Sequence, residues 1–163
     1  VPVANSETFS VRPEGQTDII ITRLFNAPPA VVFACMTTPE HIRRWWGNLG
    51  EGYSVSVCEM DARVGGKWRF INVHPQGEAE FYGEIREMDP PSRMVHTETY
   101  AAFPDAESVI TTTFSIEAGK TRLTAVCRYP SAEVRDAVLA SGMEHGAAIS
   151  YDRLEEVAQA ATA

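Results

Sequence analysis

Between residues 53 and 129, six short stretches alternate apolar with polar side chains, and a tight-turn signal separates most of them from the next. They run Tyr53–Met60, Lys67–His74, Ala79–Met88, Arg93–Tyr100, Val109–Ile116 and Arg122–Tyr129. Alternation with period two belongs to strands whose two faces see different surroundings. The turns Gly65-Gly66, Pro75-Gln-Gly77, Asp89-Pro-Pro91 and Gly119-Lys120 leave room for hairpins but not for crossover helices. The pattern predicts an antiparallel meander. A seventh strand, Asp18–Phe25, precedes it and is rich in β-branched residues.

Two short helices are expected after that first strand. Asn26-Ala-Pro-Pro29 stops the strand and opens the first, which holds Val31, Val32, Phe33 and Met36. Thr38-Pro39-Glu40 opens the second, which ends near Trp46 and Gly47. In each case proline falls in a first helical turn, where its missing N–H is not needed. The chain closes on a helix over about Ala132–Gln159, capped by Ser131, with Val134, Val138, Leu139, Met143 and Leu154 at helical spacing. Gly142 and Gly146 interrupt it and point to close packing or a kink. The expected architecture is α+β: a helix-grip fold in which a curved antiparallel sheet of about six to seven strands wraps a long C-terminal helix. Residues 1–17 are expected to form an irregular lead-in, and 18–160 a single domain.

A formal net charge of -8 opposes binding to nucleic acid or to an anionic membrane surface. No run approaches the ~18 apolar residues of a membrane span, and Val1–Gln16 lacks the basic and apolar regions of a signal peptide. The chain starts at Val1, consistent with an upstream piece trimmed or left out. Cys35, Cys58 and Cys127 are odd in number and widely spaced, which suits buried, reduced thiols and a cytoplasmic location. There is no metal-spaced Cys/His cluster and no phosphate-binding glycine loop, so neither metal nor cofactor is expected.

Several runs taken in order resemble one family. They are Ile21-Thr-Arg-Leu-Phe-Asn-Ala-Pro-Pro29 with Val32-Phe33, then Thr38-Pro-Glu40, Trp45-Trp-Gly47 and Gly65-Gly-Lys-Trp-Arg69. Gly83 through Asp89-Pro-Pro91, Thr121-Arg-Leu-Thr124, Ser141-Gly-Met143 and Tyr151-Asp-Arg-Leu154 continue the series. The chain is thereby similar to the activator-of-heat-shock-protein-90-ATPase-like (AHSA-type) family, within the START-like helix-grip superfamily, over about residues 18–158. The resemblance implies a hydrophobic internal cavity. It says little about activity, because the superfamily includes carriers, receptors, cyclases and co-chaperone domains. Many relatives have Trp after the glycine of the last helix; here Ala147 stands there and leaves room for a ligand.

The expected lining of that cavity is Trp45, Trp46, Trp68, Phe70, His74, Phe81, Tyr100, Phe114, Met143, His145 and Ala147, with the ligand between the last helix and the Trp68–Phe70 wall. Trp45 and Trp46 read as an aromatic gate or as packing; neighbours on a helix cannot both face the same way. Trp68, Phe70, Asn72 and His74 share a strand face, as either pocket wall or core with a wet end. His96, Glu98 and Tyr100 share another, with acid–base potential if inward; a polar outer face is the commoner arrangement. Glu78, Glu80 and Glu84 are expected outside, with Ala79, Phe81, Gly83 and Ile85 inside. His145 is a proton-transfer candidate only if it faces the cavity. No catalytic residue is assigned. The leading expectation is an apolar or amphipathic small-molecule ligand. An enzyme using a pocket His or Glu, and a chaperone-associated module, are the alternatives. A homodimer is possible.

Overall fold

A computed structural model describes residues 8–162. The strands are β1 (Phe9–Glu14), β2 (Asp18–Phe25), β3 (Ser54–Met60), β4 (Lys67–His74), β5 (Gly77–Asp89), β6 (Arg93–Tyr100), β7 (Ser108–Glu117) and β8 (Lys120–Arg128). The helices are α1 (Pro29–Thr37) and α2 (Pro39–Trp45) after β2, then α3 (Ala132–Ala140) and α4 (Met143–Thr162) at the C-terminal end. All eight strands join one antiparallel sheet in the order β1-β2-β8-β7-β6-β5-β4-β3. Among the described residues no helix is long and apolar enough to cross a membrane.

Two expectations need correction. The sheet has eight strands rather than six to seven, because the segment expected to be an irregular lead-in supplies β1. As an edge strand, β1 tolerates Pro13, which cannot donate to the ladder. The first seven residues of that lead-in lie outside the described residues. The C-terminal helix is also not continuous. It breaks at Ser141-Gly142, where Gly142 takes φ +83°, a conformation that L side chains rarely adopt. Helical periodicity continues across the break, so spacing alone does not reveal it.

The concave face holds the core. Ile19, Ile21 and Phe25 of β2, Phe114 of β7, Leu123 and Ala125 of β8, and Leu154, Val157 and Ala158 of α4 are all buried in one cluster. Helix α4 packs on α1 and α2. Its Tyr151 ring meets Phe9, Phe25 and Trp45 at centroid distances of 6.4, 5.7 and 6.4 Å. The α2 terminus is fixed by Gly47, whose N–H donates to Ser150 Oγ at 3.2 Å. A Cβ at Gly47 would lie 2.3 Å from the Asn72 side chain. Ser131 caps α3 by accepting from the Val134 N–H.

The Trp68 indole crosses strand β5 at Gly83. The indole Nε1–H reaches past β5 and donates to the Thr97 carbonyl of β6 at 3.0 Å. A side chain at Gly83 would place Cβ 1.9 Å from that carbonyl and 2.7 Å from the indole nitrogen. Backbone must therefore move to admit even a methyl group. Gly83→Ala is expected to cost about 3 kcal/mol in urea unfolding, at the upper end for overpacking. A change within about 0.5 kcal/mol would show that the crossing is not constrained.

Candidate functional site

The inward positions of the sheet do not all receive helix cover. Phe81 of β5 pairs with Tyr100 of β6 and their rings stack, with centroids 5.0 Å apart. Two residues back along β6, Glu98 faces the same way and lies opposite Ser108 of β7. Ser108 Oγ donates to the Glu98 backbone carbonyl at 3.0 Å. With Tyr129, just beyond β8, these residues form the floor of a cavity of about 650 Å³. Its roof is Val134, Ala137 and Val138 of α3, Ser141 in the break, and Met143 at the start of α4. Phe103 and Ala106 of the β6–β7 loop complete the wall. Phe103 is 65% exposed and packs on Tyr100 at 5.8 Å. Glu133 and Ala137 are also exposed, so the mouth lies between α3 and that loop.

The face of β6 therefore differs from the polar outer face that its sequence suggests. His96 and Glu98 point inward, and burial shifts both. It pushes the Glu98 carboxyl up to about 7 and the His96 imidazole down to about 4. Glu98 keeps some accessible surface, and that surface belongs to the cavity it lines. Among the described residues nothing hydrogen-bonds its carboxyl, and the buried Nδ1 of His96 has no partner either. Burial raises the phenols of Tyr129 and Tyr151, with further contributions from Cys127 and Glu98, and lifts the Cys127 thiol to about 12. All three cysteines are buried and free, so Cys127 behaves as a core group rather than a nucleophile. No three His, Cys, Asp or Glu residues gather as a metal site among the described residues.

Of the residues expected to line a cavity, Phe81, Tyr100 and Met143 border this one. Trp46 lies behind its wall, edge-on to Phe70 and Phe81 at 4.9 and 5.1 Å. Trp45 is core; its indole donates to the Cys35 carbonyl at 3.0 Å. Trp68 and Phe70 are buried against each other, and Phe114 packs on Phe33. His74 stands at the β4–β5 turn, where its Nδ1 accepts from the Gln76 N–H. His145 is exposed on α4, and Ala147 packs on the core. The cavity thus lies under α3 and not between α4 and the Trp68–Phe70 wall. Glu98, Tyr129 and Phe103, with Val134 and Val138, are among the lining residues outside the expected set. The first two have the inward parity of their strands. The last two show the helical spacing already evident in the sequence.

On the convex face a second depression, about 540 Å³, is crossed by Arg69–Glu80, Lys67–Glu84 and Arg86–Glu107 ion pairs. Its charges satisfy one another in solvent, as the outward parity of Glu80 and Glu84 requires.

A family profile described as "Activator of Hsp90 ATPase homolog 1-like protein" matches residues 26–159, most of the chain. Among solved structures, a Rhodobacter sphaeroides protein is 28% identical with a TM-score of 0.84, covering 93% of this chain and 98% of that one. A Mycobacterium smegmatis protein is 26% identical with a TM-score of 0.80, covering 91% and 94%. A Nitrosomonas europaea protein, 21% identical with a TM-score of 0.77 and coverages of 92% and 99%, shares the fold. No curated protein matches the sequence.

The two shifted groups give stability a definite pH dependence. Folded Glu98 holds its proton to about pH 7, whereas an ordinary carboxyl loses it near 4.5. The folded chain binds more protons in that window, so this contribution falls as pH rises. His96 acts oppositely: the unfolded imidazole protonates near 6.5 and the folded one only near 4, so stability falls as pH drops through that window. Glu98→Gln removes the first term alone. It is expected to be more stable than the parent by about 3 kcal/mol at pH ~8, with the gap closing near pH ~4. Urea titrations across pH check this; a constant offset would place the Glu98 carboxyl in solvent.

Proposed function

The chain belongs to the Activator of Hsp90 ATPase homolog 1-like family, and from that membership we propose that it binds a hydrophobic or amphipathic small molecule in the cavity beneath α3. One observation supports the reading above the rest. A mostly apolar chamber of about 650 Å³ contains a single inward carboxyl, Glu98, for which no hydrogen-bond partner exists among the described residues. Ligand sites in general are concave, apolar and furnished with a few placed polar groups. Buried polar groups are otherwise paired. An unpaired carboxyl facing such a space is explained by a guest that supplies the missing partner.

The arrangement of the roof favours exchange of that guest. Helix α3 buries Arg135 alone as a full side chain, and that residue donates to the carbonyls of Glu14, Gly15 and Asp18 at 3.4, 3.3 and 2.8 Å. The rest of α3 offers its apolar edge to the cavity. A second reading assigns proton transfer to Glu98, whose pKa near 7 suits general acid–base work at neutral pH. Recovery of a bound compound unchanged after long incubation argues for simple binding, and a chemically altered product for catalysis.

Filling the chamber tests the principal reading. Val138→Trp is expected to weaken uptake of a lipophilic fluorescent probe by about tenfold or more, while the far-ultraviolet circular dichroism stays that of the parent. Equal uptake by parent and variant, or no uptake by either, would remove the cavity as the binding site.

A further inference from the structure

We infer that the head group this cavity selects is cationic: an amphipathic amine or quaternary ammonium whose positive end seats against Glu98. The inference rests on the binding role proposed above and adds the chemistry of the guest. Three observations favour a cation over the fatty-acid type of amphiphile that an apolar chamber would otherwise suit.

The first is the charge of the lining. Among the described residues, Glu98 on the floor and Glu133 at the mouth are its only carboxyl groups, and no Lys, Arg or His borders the space. Arg23, also on the concave face, is already held by Asp152 and Glu155 of α4. At pH ~8, where Glu98 has given up its proton and where the probes are compared, a carboxylate guest meets two like charges and no counter-charge. The second is the unmet bonding of Glu98. Among the described residues no donor reaches its carboxyl, and the Ser108 hydroxyl is committed to the Glu98 backbone carbonyl. A guest that brings a donor or a positive charge supplies that missing partner. The third is the aromatic content. Phe81, Tyr100, Tyr129 and Phe103 border the same chamber. Ring faces attract cations and accommodate alkyl tails equally well. The net charge of -8, with Glu133 exposed at the entrance, also draws cations toward the opening.

The test compares three probes with the same tail: decyltrimethylammonium, decanol and decanoate, each below its micelle concentration, titrated into the whole chain at pH ~8 by calorimetry. The expected order is ammonium tightest, decanol intermediate and decanoate weakest, with about tenfold or more between the extremes. Glu98→Gln is expected to lower ammonium affinity about tenfold while changing decanol affinity less than about twofold. Glu133→Gln, at the solvent-exposed mouth, serves as the second variant and is expected to slow ammonium association more than it weakens equilibrium binding. Decanoate binding as tightly as the ammonium, or Glu98→Gln leaving the ammonium-to-decanol ratio unchanged, overturns the cationic inference and leaves the binding role standing. Failure of all three probes to bind the parent chain overturns both.

Discussion

The guanidinium of Arg23 lies on the concave face of the sheet, only 7% exposed, and α4 holds it from above. Asp152 and Glu155 accept from its nitrogens at 2.9 and 3.2 Å, and the guanidinium also donates to the Leu24 carbonyl. Its plane stands over the Phe25 ring, with the central carbon 4.8 Å from the centroid. A charge placed there would be costly without these partners. Glu155 does more than neutralise it, because the same carboxylate oxygen accepts the Asn26 N–H at the entrance to α1. One carboxylate therefore ties strand, long helix and the start of the first short helix together. Of the two acids, Glu155 is the better screened from solvent, at 27% exposure against 72% for Asp152, and so contributes the stronger interaction.

Pinning α4 over β2 decides what happens to the rest of the sheet. Leu154, Val157, Ala158 and Tyr151 cover the strands near Arg23. One helix is about 10 Å across, whereas eight strands at about 4.8 Å spacing make a far broader surface. The inward positions on β5, β6 and β7 that the body of α4 leaves uncovered face α3, Met143 and the β6–β7 loop across a gap. The cavity is thus the space left when a helix too narrow for its sheet is fixed toward one side.

Much of this frame was legible in the sequence. The turn signals marked the hairpins, the prolines marked the starts of α1 and α2, and Gly47 marked the stop, because each residue type has one strong local reason for its place. The face of β6 was not legible in the same way. Val95, Thr97 and Thr99 are buried on one side while His96 and Glu98 turn to the other. Both sides of the strand are covered, so alternation no longer distinguishes inside from outside. The ordinary penalty for burying acids then points the wrong way. The expected places of His145 and Ala147 carry one helical register through Gly142. Once the chain turns at Gly142, a position in α4 no longer projects where a continuous helix from Ser131 would aim it. The clearest departure from local rules, an acid buried among apolar walls, coincides with the place where a function is sought.

The break at Gly142 also divides responsibilities along the chain. Helix α4 carries most of the helical residues that complete the core near Arg23, and α3 most of those that roof the cavity. The two meet at Ser141-Gly142, and Arg135 moors α3 to the carbonyls of Glu14, Gly15 and Asp18 around the β1–β2 turn. Substitutions at Val134, Ala137 or Val138 can resize the chamber without shifting the register of Leu154 or the Arg23 clasp. Capacity and stability are in this way separately adjustable. A lineage built on this scaffold can change its guest by altering a turn or two of helix, while the part that keeps the protein folded stays under its own, independent selection.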